Sequence, residues 1–303
     1  MKIDLHIHTS TGSDGAFSIE EVFREAKKRN ISLMSITDHD SIAAQEKAII
    51  LAKEYGIDYI SGIELNVTFQ YHPKPSKTFS LDFLGYQFDV QNQGLKNKLE
   101  VMRGHRETRA HQILEKLNIE LDKENIGRLT EKDIKKIQES VDGTFGRPHI
   151  ARYLVEKGIV RSNQEAFDRY LVRCDVPKYP LSLSEASILV RNAGGMLVLA
   201  HPNDPNGTSL VNLNTNLVEQ EEIIKKYMLE YIDGIECWHS RHDEKTLEHY
   251  VEFARKNNLL ITGGTDCHQN PVVMGRLDIP AYVAKQFSYK GKKRFPLFNR
   301  ISS

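Results

Sequence analysis

Three cysteines are all that 303 residues contain. Cys174, Cys237 and Cys267 stand far apart with no Cys-x-x-Cys pair, which argues against a zinc finger or a disulfide framework and predicts a reducing, cytoplasmic setting. Charge of one sign is also missing: 41 Lys and Arg balance 41 Asp and Glu. That balance speaks against a general nucleic-acid coat or an anionic membrane face, so any anionic substrate must be gripped locally. Long apolar runs are absent, none approaching the ~18 to 20 residues a membrane helix needs, and Met1-Lys2-Ile3-Asp4 has no apolar signal core. A soluble, unprocessed protein without membrane contact is expected. No internal repeat or low-complexity tract stands out.

What is present is a β-α alternation in a chain that is 40% hydrophobic. Lys2 to His6 reads as a strand, and Ser18-Ile19-Glu20-Glu21 reads as a capping box that opens a helix with Val22, Phe23 and Ala26 on one face. Leu33 to Thr37 and Tyr59 to Leu65 read as strands around a helix from Ser41 to Tyr55. The alternation returns with strands at Met196 to Ala200, Gly234 to Trp238 and Leu259 to Gly263, and helices around Glu219 to Tyr231 and from Asp243 to Asn257. Repeated β-α units predict a parallel sheet. The intervening stretch reads as helical, at 95–117, 131–139, 149–156, 164–172 and 184–192. The expected organisation is therefore a β/α domain in two parts, residues 1–94 and 195–283, with a helical subdomain inserted at 95–194. A basic tail at 284–303, "YKGKKRFPLFNR" within it, reads as a solvated terminus or, as the rarer alternative, a nucleic-acid contact.

The residues able to coordinate a cation fall at strand ends. His6 and His8 end the first strand, His39 follows "LMSITD", Glu64 ends "YISGIE" and His201 follows "MLVLA"; Trp238-His239 and then Asp266 with His268 repeat the pattern. In parallel β/α architectures such ends converge on one face. Several imidazoles and carboxylates buried together without a cation would leave charges and polar groups unpaired at several kcal/mol each. A metal cluster resolves that cost.

Asp4-Leu5-His6-Ile7-His8-Thr9, Thr37-Asp38-His39-Asp40, Gly62-Ile63-Glu64, Ala200-His201-Pro202 and Gly264-Thr265-Asp266-Cys267-His268 occur in the order found in the polymerase and histidinol phosphatase (PHP) family of metal-dependent phosphoesterases, which the chain resembles. The resemblance implies a distorted (β/α)7 TIM-like barrel with an inserted helical subdomain and two or three divalent metals at the strands' carboxyl ends. Ser13-Asp14-Gly15, the helical insertion and Arg147-Pro148-His149 resemble the branch acting on nucleotides and short oligonucleotides, which includes AMP phosphatase, nucleoside 3′,5′-bisphosphate phosphatase and a 5′ to 3′ exoribonuclease. It implies that His6, His8, Glu64 and Asp266 hold one metal, that Glu64 bridges to a second with His201, and that Asp14, His39 and His268 hold a third. "SLDFLGY" departs from the family by placing Asp82 where a ligand histidine is usual. Asp82 is the expected substitute, and His72 in "YHPKP" is its rival.

The expected chemistry is phosphate-ester hydrolysis by direct attack of a metal-bound hydroxide, with Glu64, Asp266, His201 and Asp38 as its centre. Imidazole mixed with carboxylate suits Mn²⁺, Zn²⁺ or Fe²⁺. Asp38 or Asp40 is expected to orient His39 or to cap the following helix. Arg147 and His149, with His242 as a further candidate, are expected to grip a small phosphorylated substrate, a nucleotide or short oligonucleotide; no stable duplex binding is expected. Arg103, Arg106 and Arg109 recur every third residue and either face the cleft or form a solvated stripe. Histidinol phosphatase activity and a non-catalytic binding domain are the alternative readings.

Overall fold

The computed structural model describes residues 1–71, 78–139 and 146–287. His72 and most of the basic tail lie outside these residues. In chain order the elements begin β1 (Lys2–Ile7), α1 (Ile19–Lys28), β2 (Ile31–Ile36), α2 (Gln45–Tyr55), β3 (Asp58–Tyr59), β4 (Gly62–Gln70) and β5 (Thr78–Tyr86). A run of helices follows: α3 (Gln93–Lys123), α4 (Glu131–Glu139), α5 (Arg147–Glu156), the short α6 (Asn163–Ala166) with a π-helical turn at Phe167–Leu171, and α7 (Leu183–Asn192). The chain then returns to strands and helices as β6 (Met196–Leu199), α8 (Leu217–Tyr227), β7 (Gly234–His239), α9 (Glu244–Lys256), β8 (Leu260–Gly264) and α10 (Ala281–Phe287). No helix among the described residues is long and apolar enough to cross a membrane.

Two sheets carry the strands. One has the order β1-β2-β3 and is parallel; the other has the order β4-β5-β6-β7-β8. In the second, β6, β7 and β8 are parallel, whereas β4 pairs antiparallel with β5, and β5 antiparallel with β6. The wholly parallel sheet expected from the β-α alternation is thus corrected. β4 ends at Gln70 and β5 begins at Thr78, too short a connection for the crossover a parallel pair needs, so the chain returns in the opposite direction. The two sheets touch edge to edge through single bridges, Ile7 with Cys267 and His39 with Glu64, rather than through continuous ladders. Both bridges lie at strand ends bearing the coordinating residues.

β1 shows how the strands divide their faces. Ile3 and Leu5 pack with Leu84, Tyr86 and Val198, while Asp4 and His6 alternate with them and point the other way. The Tyr86 hydroxyl donates to the Leu5 carbonyl at 2.7 Å, tying β5 to β1 across the interior. α1 starts at the expected capping box, with Ser18 accepting from the Glu21 N–H and the Glu21 carboxylate accepting from the Ser18 N–H. α2 begins four residues later than expected, at Gln45 after an uncapped Ala44, because both candidate caps are engaged elsewhere. The Asp38 carboxylate accepts from the Thr9 N–H and hydroxyl at 2.7 and 2.6 Å, and Asp40 accepts from the Asn66 N–H at 3.0 Å and from Arg106 at 2.5 Å.

α3 to α6 have an apolar cluster of their own, built on Ile113, Leu117, Leu154 and Tyr170. α7 instead packs Ala186 and Val190 into the cluster under β4 to β8.

Candidate metal centre

The backbone itself brings the coordinating segments together. The Asp266 N–H donates to the His6 carbonyl at 2.9 Å, the His8 N–H to the Cys267 carbonyl at 3.1 Å, and the Asp40 N–H to the Glu64 carbonyl at 2.7 Å. Asp40, His201 and Asp266 also take positive φ values of 49°, 23° and 54°. Left-handed backbone at a non-glycine residue carries a conformational cost and persists only where its surroundings demand it. Here the turns leaving β2, β6 and β8 bend sharply, and the residues that reach one point from them are His39, His201 and Asp266.

Around that point the donor atoms fall into overlapping sets, each within 4.8 Å: His6, His8 and Asp266; His6, Glu64 and His201; and His8, Asp14, His39 and His268. Glu64 is shared in space by four imidazoles. Its Oε1 lies 3.0 Å from His201 Nε2, and its Oε2 lies 3.4, 3.2 and 3.0 Å from His6 Nε2, His8 Nε2 and His39 Nδ1. Yet that Oε2 is buried without a hydrogen bond among the described residues. His6 and His8 face each other Nε2 to Nε2 at 3.1 Å, and His201 Nδ1 is likewise buried without a hydrogen-bond partner among the described residues. Close atoms with so few satisfied bonds are what donors grouped around a common cation leave behind. The residues therefore fit divalent metals.

The buried carboxyls divide by their neighbours. Burial alone would raise them all. For Glu64, Asp14 and Asp266 adjoining imidazoles outweigh it and hold the carboxyl well below the usual range. Asp4, Asp38 and Asp82 stay raised by burial. Burial would lower His39 and His201, but the neighbouring carboxylates, Glu64 foremost, bring each up to about 9. A cation must displace those protons to bind.

A family model described as the PHP domain matches residues 4–268. The chain belongs to the PHP family. It is 32% identical over 208 residues to a 5′-3′ exoribonuclease of Haemophilus influenzae, spanning 66% of this chain and 69% of that protein. It is 27% identical over 270 residues to the 3′,5′-nucleoside bisphosphate phosphatase of Chromobacterium violaceum, spanning 88% and 87%. A solved structure of an amidohydrolase from Chromobacterium violaceum, with bound sulfate and no metal, matches at a TM-score of 0.76 and 26% identity, covering 95% of this chain and 96% of that one.

Several PHP-site expectations fall differently in space. Asp82 joins none of the donor sets among the described residues. It lines the cavity over the cluster and stands opposite Asn66 across the β4–β5 pair, one oxygen accepting from Asn66 Nδ2 at 2.5 Å and the other from the Thr208 hydroxyl. Asp38, spent on Thr9, does not orient His39. His242 is turned inward: its Nδ1 bonds the Cys237 carbonyl at 2.9 Å and its Nε2 accepts from the Asn203 N–H at 3.4 Å, and burial pushes it down to about 4. Its neighbour Arg241 lines the cavity over the PHP cluster instead, with Nη1 2.6 Å from Asp204 and 3.5 Å from Asp266. Asp204 with His239 and Asp266 makes one more donor set, and that guanidinium already sits against its carboxylates.

Arg147 and His149 line a second cavity of about 230 Å³ that shares Asp14 and His39 with the first. Arg147 pairs with Asp175 at 3.0 Å. His149 Nδ1 accepts from the Gly146 N–H at 3.0 Å, which places the proton of the neutral ring on Nε2. Arg106 and Arg109 line the same cavity; Arg103 is exposed and paired with Glu100 and Glu107. The arginine repeat thus divides between cleft and surface.

Glu236 is the functional residue the sequence reading missed. It is fully buried on β7, takes His6 Nδ1 at 3.0 Å and accepts from the His201 N–H at 2.9 Å. Burial works to raise its carboxyl, and His6 outweighs that and holds it below the usual range. Being an acceptor only, it requires the proton on His6 Nδ1 and so leaves the Nε2 lone pair facing the cluster. A glutamate between two apolar strand neighbours in "GIEC" is the signal that marks it.

Proposed function

We propose that the protein hydrolyses phosphate esters of nucleotides or short oligonucleotides with two or three divalent metals. The carrying observation is the juxtaposition of an imidazole and carboxylate cluster with an arginine-lined cavity that shares Asp14 and His39 with it. We read the two edge-to-edge sheets as the distorted barrel of the family, with residues 95–194 as its inserted helical subdomain. His6, His8, Asp266, Glu64 and His201 would hold two cations, and His8, Asp14, His39 and His268 a third. Bound there, such cations acidify water and neutralise charge on the phosphoryl oxygens. Mn²⁺, Zn²⁺ or Fe²⁺ suits this donor chemistry.

The chain's own residues supply orientation and grip. Glu236 fixes the His6 ring, and Asp4, accepting from the Thr265 N–H and hydroxyl and from the Gly275 N–H, fixes the turn that carries Asp266. Arg147 and the Nε2–H of His149 would bind a second phosphate or the leaving nucleotide, the guanidinium through paired hydrogen bonds. The named activities of the Haemophilus and Chromobacterium relatives support a nucleotide substrate.

Phosphate and nucleotide release from AMP, adenosine 3′,5′-bisphosphate, a short 5′-phosphorylated RNA and histidinol phosphate, with added Mn²⁺, tests this reading. The nucleotides or the RNA should be turned over far faster than histidinol phosphate. Preference for histidinol phosphate, or no release from any of the four, would contradict it.

A further inference from the structure

The cavity that opens from Asp14 and His39 is more than a grip for anions. Beside its arginines it is lined by Met102, Phe167 and Tyr179, apolar surface for which a phosphate has no use. Phe167 opens the π-helical turn after α6, where the Val172 N–H donates to the Phe167 carbonyl five residues back at 3.1 Å. A π turn adds a residue to a helical circuit and re-aims a side chain, and such turns are frequent at functional sites. Here the re-aimed ring is half-buried. It packs against the helical cluster while also lining the cavity, and the Arg147 guanidinium lies 5.7 Å from its centroid.

Tyr179 is fixed as firmly. Lys98 donates to its hydroxyl at 2.8 Å, and His105 meets the ring edge-on at 5.6 Å and 85°. Lys98 stands outside the cavity, whereas His105 and Arg147 are part of its wall, and both rings line it beside His149.

We infer that Phe167 and Tyr179 form a stacking site for the nucleobase of the substrate. The inference rests on the nucleotide reading above and deepens it: the base lies against the two rings, one phosphate lies by Arg147 and His149, and the scissile phosphate lies toward Asp14 and His39. A charged cavity with an aromatic wall suits a nucleoside bearing two phosphates better than a phosphorylated sugar, whose hydroxyls gain nothing from that wall. Every base has a π face, so the site distinguishes nucleotides from other esters without reading sequence.

Calorimetric titration of the full chain with adenosine 3′,5′-bisphosphate and with the corresponding ribose bisphosphate lacking the base tests the inference. The native protein should bind the nucleotide roughly tenfold more tightly, as one stacked base contributes. That ratio should fall toward one in Phe167→Leu and in Tyr179→Leu and should persist in Phe167→Trp and Tyr179→Phe, which keep a ring. Equal binding of both ligands by the native protein, a measurement that needs no variant to fold, would overturn the stacking site while leaving the nucleotide reading intact. A ratio that survives both leucine variants would overturn it too. If neither ligand binds and neither is hydrolysed, the nucleotide reading itself fails.

Discussion

Glu64→Ala should lower phosphate release roughly a thousandfold or more, because losing several kcal/mol of metal-based stabilisation costs a factor of ten for each 1.36 kcal/mol. It should also reduce the metal bound per chain. The reason is the position of one carboxylate among four imidazoles, with His201 on one oxygen and His6, His8 and His39 around the other. Removing it leaves Asp266 as the carboxylate beside His6 and His8 and takes from His201 the carboxylate it bonds, so two of the proposed cations lose a ligand at once. Elemental analysis and phosphate release on the same preparation check this. Metal content equal to that of the native protein would remove Glu64 from the donor set.

Glu236→Ala should weaken metal binding about 10- to 100-fold although Glu236 itself ligates nothing, since outer partners that orient a ligand histidine carry effects of that size. Two donors, the His6 Nδ1–H and the His201 N–H, converge on its carboxylate. Glu236→Gln should rescue only part of the loss: an amide offers one oxygen, and its NH₂ would meet the second donor. Titration of the metal-free chain with Mn²⁺ measures the affinity directly. Full rescue by glutamine would mean that shape, and not the pair of acceptors, is what the site requires.

These two residues also show what a sequence makes legible. The histidines at strand ends are readable because parallel strands deliver their carboxyl ends to one face; Glu64, expected at the end of a strand, is instead the third residue of β4 and joins them through its parallel bridge to His39. Glu236 is not readable in that way. Its role depends on which neighbours lie across β7, and spacing along the chain does not give those. The surroundings of Asp82 are hidden for the same reason: its neighbours Asn66 and Thr208 come from the antiparallel partner strand and from a loop after β6. The antiparallel pairing of β4 with β5 was hidden because β strands of either direction share the same alternation of buried and exposed positions. Asp38 and Asp40 looked like caps by position, but Thr9, Asn66 and Arg106 engage them first, and α2 starts late. Arg106 and Arg109 could be told from Arg103 only by the packing of α3, which turns one side of an evenly spaced arginine row into the cleft.

The proposed phosphoester hydrolysis depends on cations held by this cluster. Its most direct test is phosphate release from adenosine 3′,5′-bisphosphate by chelator-treated protein as Mn²⁺ is returned, with bound metal counted at each step. The predicted result is no release from the stripped chain and a return of activity that rises with two or three cations bound. Undiminished release with no metal bound would contradict it.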